Sequence, residues 1–201
     1  TPDGRAAVSA TVVAEPDGGF VVVSSLVYLS GTGSVSGDRL SATATGWAPA
    51  GTSFANGSAT GTFSLTGTVF EENRIDSSYS GASESGRFVF TYDAARSNRP
   101  ASLAVVAGSY TTAGGGALAI NSSGAMTLNS PNGPNCVGNG VIRVPDASRN
   151  VYTWSMTLSG CTAGNGNASG VAFLDDVNGM ANSRIRLLGA TIDVPVIVTA
   201  E

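Results

Sequence analysis

The sequence predicts an all-β protein: an antiparallel meander forming a barrel or sandwich, with one short helix near residues 99–107. Apolar residues alternate with period two or run in short β-branched stretches. Gly, Ser, Thr and Asn fill the breaks, with 27 glycines among 201 residues. About a dozen such runs recur, with turn signals roughly every 8–12 residues. A hydrophobic share of 42% supplies a chain of this length with a real core, and a single domain spanning 1–201 is expected.

The chain opens on a hairpin. Ala6–Glu15 and Phe20–Leu29 flank Pro16-Asp17-Gly18-Gly19, where proline suits the second turn position and glycine permits positive φ. Phe20-Val21-Val22-Val23 is apolar on both faces and reads as buried on both. Ser30–Gly37 reads as loop. Arg39–Gly46 alternates Leu40, Ala42 and Ala44 with Ser and Thr, and Trp47-Ala48-Pro49 breaks it. Three strands follow: Thr60–Phe70, with Phe63, Leu65 and Val69 on one face, then Arg74–Ser80 and Arg87–Asp93. In the last, Phe88, Phe90 and Tyr92 oppose Val89. Ser97–Ala107 predicts the helix, with Ser97 or Asn98 as cap, Pro100 in the first turn and Gly108 at the end.

Strands resume at Gly108–Thr112, Ala117–Ile120 and Ala125–Asn129, the last two joined by Asn121-Ser122-Ser123-Gly124. A loop at Ser130–Asn135 leads to Cys136–Val144, Asn150–Ser159, Ser169–Asp175 and Ser183–Leu188. Ile192–Thr199 ends the chain with Val194, Val196 and Val198 in phase, and Pro195 assigns it to a sheet edge. The expected plan is thus a central meander over 33–188, flanked by an N-terminal hairpin (1–30) and a terminal strand (192–199). A weak internal echo links Asn73–Asp93 to Asn150–Asp176. It reads either as two related three-strand meanders or as the self-similarity of any Gly/Ser-rich chain. No short fixed period exists, which disfavours a solenoid or a regular threonine ladder.

Composition removes whole mechanisms. His, Lys and Gln are absent, so all ten cations are arginine. A Ser-His-Asp or Cys-His nucleophile, a His-ligated metal and a Schiff-base lysine are each impossible within this chain. A net charge of −4 with scattered arginines argues against nucleic acid as partner. No apolar run approaches the roughly 18 residues of a transmembrane helix. The chain begins at Thr1 without an initiator Met, as after removal of an export signal. Cys136 and Cys161 suit a disulfide in an oxidising compartment, with two free buried thiols as the other reading.

Few residues could carry chemistry, and no cofactor is expected. A glycosidase needs two facing carboxylates. Glu71, Glu72, Glu84 and Asp93 lie in one stretch and Asp175-Asp176 in another, where solvated turns are the default. Asp175, Asp176 and Asn178 precede Gly179 as part of a calcium loop would, without its closing Glu; a turn is favoured and calcium stays open. Tyr152, Trp154 and Met156 share a strand face that reads as core, whereas Trp47 sits on a break. Trp47, Tyr152 and Trp154 are the candidate ligand contacts.

Several strand and turn signatures carry a resemblance: Ser102-Leu103, Gly108-Ser109-Tyr110, Ile120–Gly124, Cys136, Asn150-Val151-Tyr152, Leu158–Cys161 and Ser169–Phe173. Over about residues 100–188, under half the chain, the sequence resembles a family of exported bacterial proteins, often lipoproteins, of unassigned activity. The resemblance implies a lipocalin-like antiparallel β-barrel and an extracellular or envelope location. Residue 1 is Thr, not the Cys that would take a lipid.

The functional expectation is a non-enzymatic extracellular or cell-surface structural or adhesive protein, such as a subunit of a fibre or pilus-like filament. Its partners would be copies of itself or another cell-surface protein. Val21, Val22, Val23, Val194, Val196 and Val198 are the expected strand-pairing interface. The other expectation is a monomeric lipocalin-like module binding a small apolar or sugar ligand.

Overall fold

The computed structural model describes residues 9–130 and 136–201. It is all-β, as the alternation predicts, with fifteen strands in two antiparallel meanders among those residues. The expected central meander over 33–188 is not continuous: the strands fall into two separate sheets. The chain divides into two compact units, Thr1–Ala94 and Ala95–Glu201, each with its own sheet. The helical segment that follows the seventh strand interrupts the ladder, and the seventh and eighth strands are not paired.

The first unit holds β1 (Ala10–Ala14), β2 (Gly19–Ser24), β3 (Tyr28–Ser36), β4 (Arg39–Trp47), β5 (Thr60–Phe70), β6 (Arg74–Gly81) and β7 (Glu84–Thr91). Each is antiparallel to the next. Phe20–Leu29 is not one strand but two. The N–H groups of Leu26 and Val27 donate to Ser24 Oγ at 3.1 and 3.0 Å, a side-chain turn that reverses the chain. Ser30–Gly37, expected as loop, is mostly strand β3. Its glycines permit this: a Cβ on Gly31 would stand 2.0 Å from Thr43 O, so only glycine lets β3 lie this close to β4.

Val22, Leu29, Ala42, Ala44, Phe54, Phe63 and Leu65 form the core of this unit. Opposite them, β3–β6 line up hydroxyls in register. Thr32, Thr43, Ser64 and Ser80 make one exposed row, and Ser34, Ser41, Thr66 and Ser78 another.

The second unit begins with two short helices, α1 (Ala94–Ser97, from the last residue of the first unit) and α2 (Leu103–Val106). The single helix expected over Ser97–Ala107 is split because Pro100 disfavours helical backbone at Arg99. Ser102 starts the second turn afresh, its hydroxyl accepting from Val105 N–H at 3.2 Å. Gly108 opens a strand and is not the helix stop.

Then come β8 (Gly108–Thr111), β9 (Ala117–Ile120), β10 (Ala125–Ser130), β11 (Cys136–Arg143), β12 (Tyr152–Ser159), β13 (Gly166–Val177), β14 (Met180–Ala190) and β15 (Pro195–Ala200). Of the expected loop Ser130–Asn135, Ser130 ends β10 and residues 131–135 lie outside the described residues, as do Ala6–Val8 of the first expected strand. Asn178 and Gly179, with φ of 52° and 80°, form the two-residue turn between β13 and β14. The echoing segments fall on β6–β7 and β12–β13, an adjacent pair in each sheet.

These eight strands form a nearly closed barrel. Beyond the ladder, Thr111 and Glu201 exchange backbone hydrogen bonds of 2.6 and 2.9 Å, Ala113 N–H donates to Thr199 O, and Thr112 bridges Ala200 antiparallel. β15 is terminal in the sheet and starts at Pro195, as proline requires. Leu118, Met126, Ile142, Tyr152, Leu174, Ile185 and Leu187 fill the interior together with Val106 of α2. Burying each such side chain stabilises the fold by about 1.5–3 kcal/mol before conformational entropy is counted.

Candidate functional site

The cysteines are joined. Cys136 opens β11, Cys161 follows β12, and their Cα atoms stand 4.2 Å apart in a disulfide. Asn165 clasps the far end: Cys161 N–H donates to its Oδ1 at 2.9 Å, and its Nδ2 donates to Cys161 O at 2.7 Å. No free cysteine remains among the described residues.

The expected ligand contacts are interior. Tyr152 and Trp154 are 0% and 4% exposed, and Trp154 Nε1 donates to Val171 O at 2.9 Å. Trp47 is not on an exposed break. It is the last residue of β4, buried, with its ring edge-on to Tyr28 at 5.5 Å. Strand pairing to Thr60 holds it there, whereas the break begins one residue later at Ala48. The barrel interior is thus occupied by side chains. An open groove of about 390 Å³ lies over Ala117, Ala119, Thr127, Asn129, Val137 and Asn139 on the outside of β9–β11.

The candidate carboxylates lie in ion pairs and turns. Asp175 is 6% exposed; its Oδ1 meets Arg96 Nε at 2.8 Å, and its Oδ2 lies 3.1 Å from Arg186 Nε, near enough for ion pairing but not aligned for a hydrogen bond. Asp176 takes Arg99 through two contacts, 2.5 and 2.8 Å, and accepts from Asn182 N–H at 3.0 Å. Asn178 forms the turn. Glu71 and Glu72 sit between β5 and β6, where Asn73 N–H donates to Phe70 O. Glu84 accepts from Ala55 N–H at 2.9 Å. No group of three metal-ligating side chains occurs among the described residues.

Asn150 is a residue that sequence reasoning passed over. Buried ahead of β12, it behaves as a surrogate backbone: its Oδ1 accepts from Leu174 N–H, and its Nδ2 donates to Leu174 O and Arg96 O. It thereby ties the α1 segment to β13.

The Arg99 side chain holds the Asp176 carboxyl below the usual carboxylate range, with help from the Asn182 N–H and, more weakly, the charge of Arg96. A depressed folded-state value stabilises the protein at pH above the ordinary carboxylate value, and that contribution is lost as pH falls through the depressed one. Titration followed by NMR is expected to place Asp176 below free aspartate, and Arg99→Ala to raise it. An unmoved midpoint in Arg99→Ala contradicts the assignment.

The valines expected to pair strands have other partners. Val21, Val22 and Val23 lie in β2, bonded on one side to β1 and on the other to β3. Val196 and Val198 pair with Gly189 and Leu187 of β14, and Val194 lies in the turn before β15. The hairpin and the terminal strand therefore do not pair with each other; each completes its own sheet. Among the described residues the unpaired edges lie elsewhere, at the outer sides of β1 and β7. Tyr92 N–H donates to Asn73 O, and the antiparallel alternation then turns the backbone of Ser85, Arg87, Val89 and Thr91 to the open side of β7.

Fold and site together define a disulfide-stapled all-β protein with one nearly closed barrel and one open sheet. Compared with known protein families, characterised proteins and solved structures, the chain matches none.

Proposed function

We propose that this is a non-enzymatic structural or adhesive protein of the cell surface or an extracellular fibre, joining copies of itself through exposed sheet edges. One observation carries the reading: among the described residues, β1 and β7 are each hydrogen-bonded on one side only, and such edges are templates for another chain. Three others support it. Charged residues make up 12% of the chain, so repulsion between copies is small. The disulfide is compatible with export, and no helix among the described residues is long and apolar enough to cross a membrane. Ion pairs and turns, not open clefts, occupy the carboxylates at Asp175 and Asp176.

The test is the state of material purified without denaturant from its source. Sedimentation and negative-stain electron microscopy are expected to show ordered multimers on the cell surface or shed from it. A monomer at every accessible concentration, or turnover of a substrate traced to one side chain, ends this reading.

A further inference from the structure

The parity of the first meander singles out its edges. Seven consecutive antiparallel strands leave β1 and β7 running in the same direction. The eight strands of the second unit leave β8 and β15 opposed, and these do bond. β1 and β7 approach within 8 Å between Cα atoms without forming a ladder. A parallel pair is the less stable kind per residue, so an odd meander gains less from closing on itself.

We propose that β7 is completed by β1 of a second copy turned end for end, so that the two strands meet antiparallel. The inference rests on the self-associating role proposed above and names its joint. Three features select this occupant. β1, Ala-Thr-Val-Val-Ala, has neither charge nor proline, and β7 has no proline and carries only Glu84 and Arg87, so the guards usual on edge strands are nearly absent. The core-facing residues beside both edges, Ala10 and Val12 on β1 and Phe88 and Phe90 on β7, are only half-buried, unlike Leu29 and Phe63 at the centre. Val89, on the other face of β7, is 66% exposed beside the open backbone, and a partner strand would cover it. Parting β1 from β7 by about one strand spacing, ~4.8 Å, admits the partner.

Val89→Pro tests the joint, because the Val89 N–H points to the open side and its loss breaks no bond within the sheet. Val89→Lys serves if the proline variant does not fold. Sedimentation velocity is expected to show wild-type multimers and monomeric variants with unchanged thermal unfolding. Mixing separate Val12→Cys and Val89→Cys chains is expected to give an intermolecular 12–89 disulfide on non-reducing gels and in peptide mass spectra, because Val12, like Val89, turns its backbone to the open edge of its strand. Wild-type assembly that survives a natively stable Val89 variant, or that forms without the 12–89 link, overturns the joint alone. A wild type that never assembles overturns both this inference and the role it rests on.

Discussion

Replacing Trp154 with alanine is expected to destabilise the second unit by about 3–5 kcal/mol, a large part of what a domain has. The indole is 4% exposed in the middle of β12, packed into the barrel interior. Gly189 has no side chain where the ring passes; a Cβ there would stand 2.4 Å from Trp154 Cζ2. Truncation would leave a hole bounded by backbone, which cannot collapse, and would strip Val171 O of its 2.9 Å donor. Trp154→Phe, which keeps the ring but not the donor, is expected to recover about half the loss. Trp47 and Trp154 are the only tryptophans and lie one in each unit, so urea unfolding followed by fluorescence reports the units separately. A cost under about 1 kcal/mol for the alanine would mean that this barrel centre is not packed as described.

The second large effect is expected on opening the disulfide. Cys136 and Cys161 close a loop with a sequence separation of 25, worth about 3–4 kcal/mol on the chain-entropy model. The linked segments are neighbours in the sheet, with Val137 paired to Ser159, so the bond pins a register that already exists. The double variant Cys136→Ala/Cys161→Ala, or wild type under reductant, is expected to unfold its second unit at lower urea while the Trp47 transition stays put. Equal midpoints with and without reductant would show that the β11–β12 ladder holds without its staple.

Much of this architecture is legible in the residues, and the misses have physical causes. Thr60–Phe70 and Ala117–Ile120 fall where alternation puts them, because each has a clear inner row. The disulfide follows from an even cysteine count among turn residues. β3 was hidden because glycine signals loop, yet here it marks where two strands approach closely. The turn at Ser24 was hidden because valines continue past it as Val27-Tyr28-Leu29. That one turn matters most: reading Phe20–Leu29 as a single strand and Ser30–Gly37 as loop makes the first meander six strands instead of seven. The unpaired edges therefore could not be read before the strands were counted correctly. Trp47 was misjudged because its neighbours Ala48 and Pro49 signal a break, whereas its own burial is set by pairing with Thr60.

The rows of serine and threonine across β3–β6 have a consequence for how this molecule stays in water. Hydroxyls bind solvent without ionising between acid and neutral pH, so neither protons nor dissolved ions can neutralise that surface. A surface wetted in this way keeps its hydration as pH changes, where a carboxylate surface would be titrated. Copies of the protein can lie side by side at high local density without a counterion cloud between them.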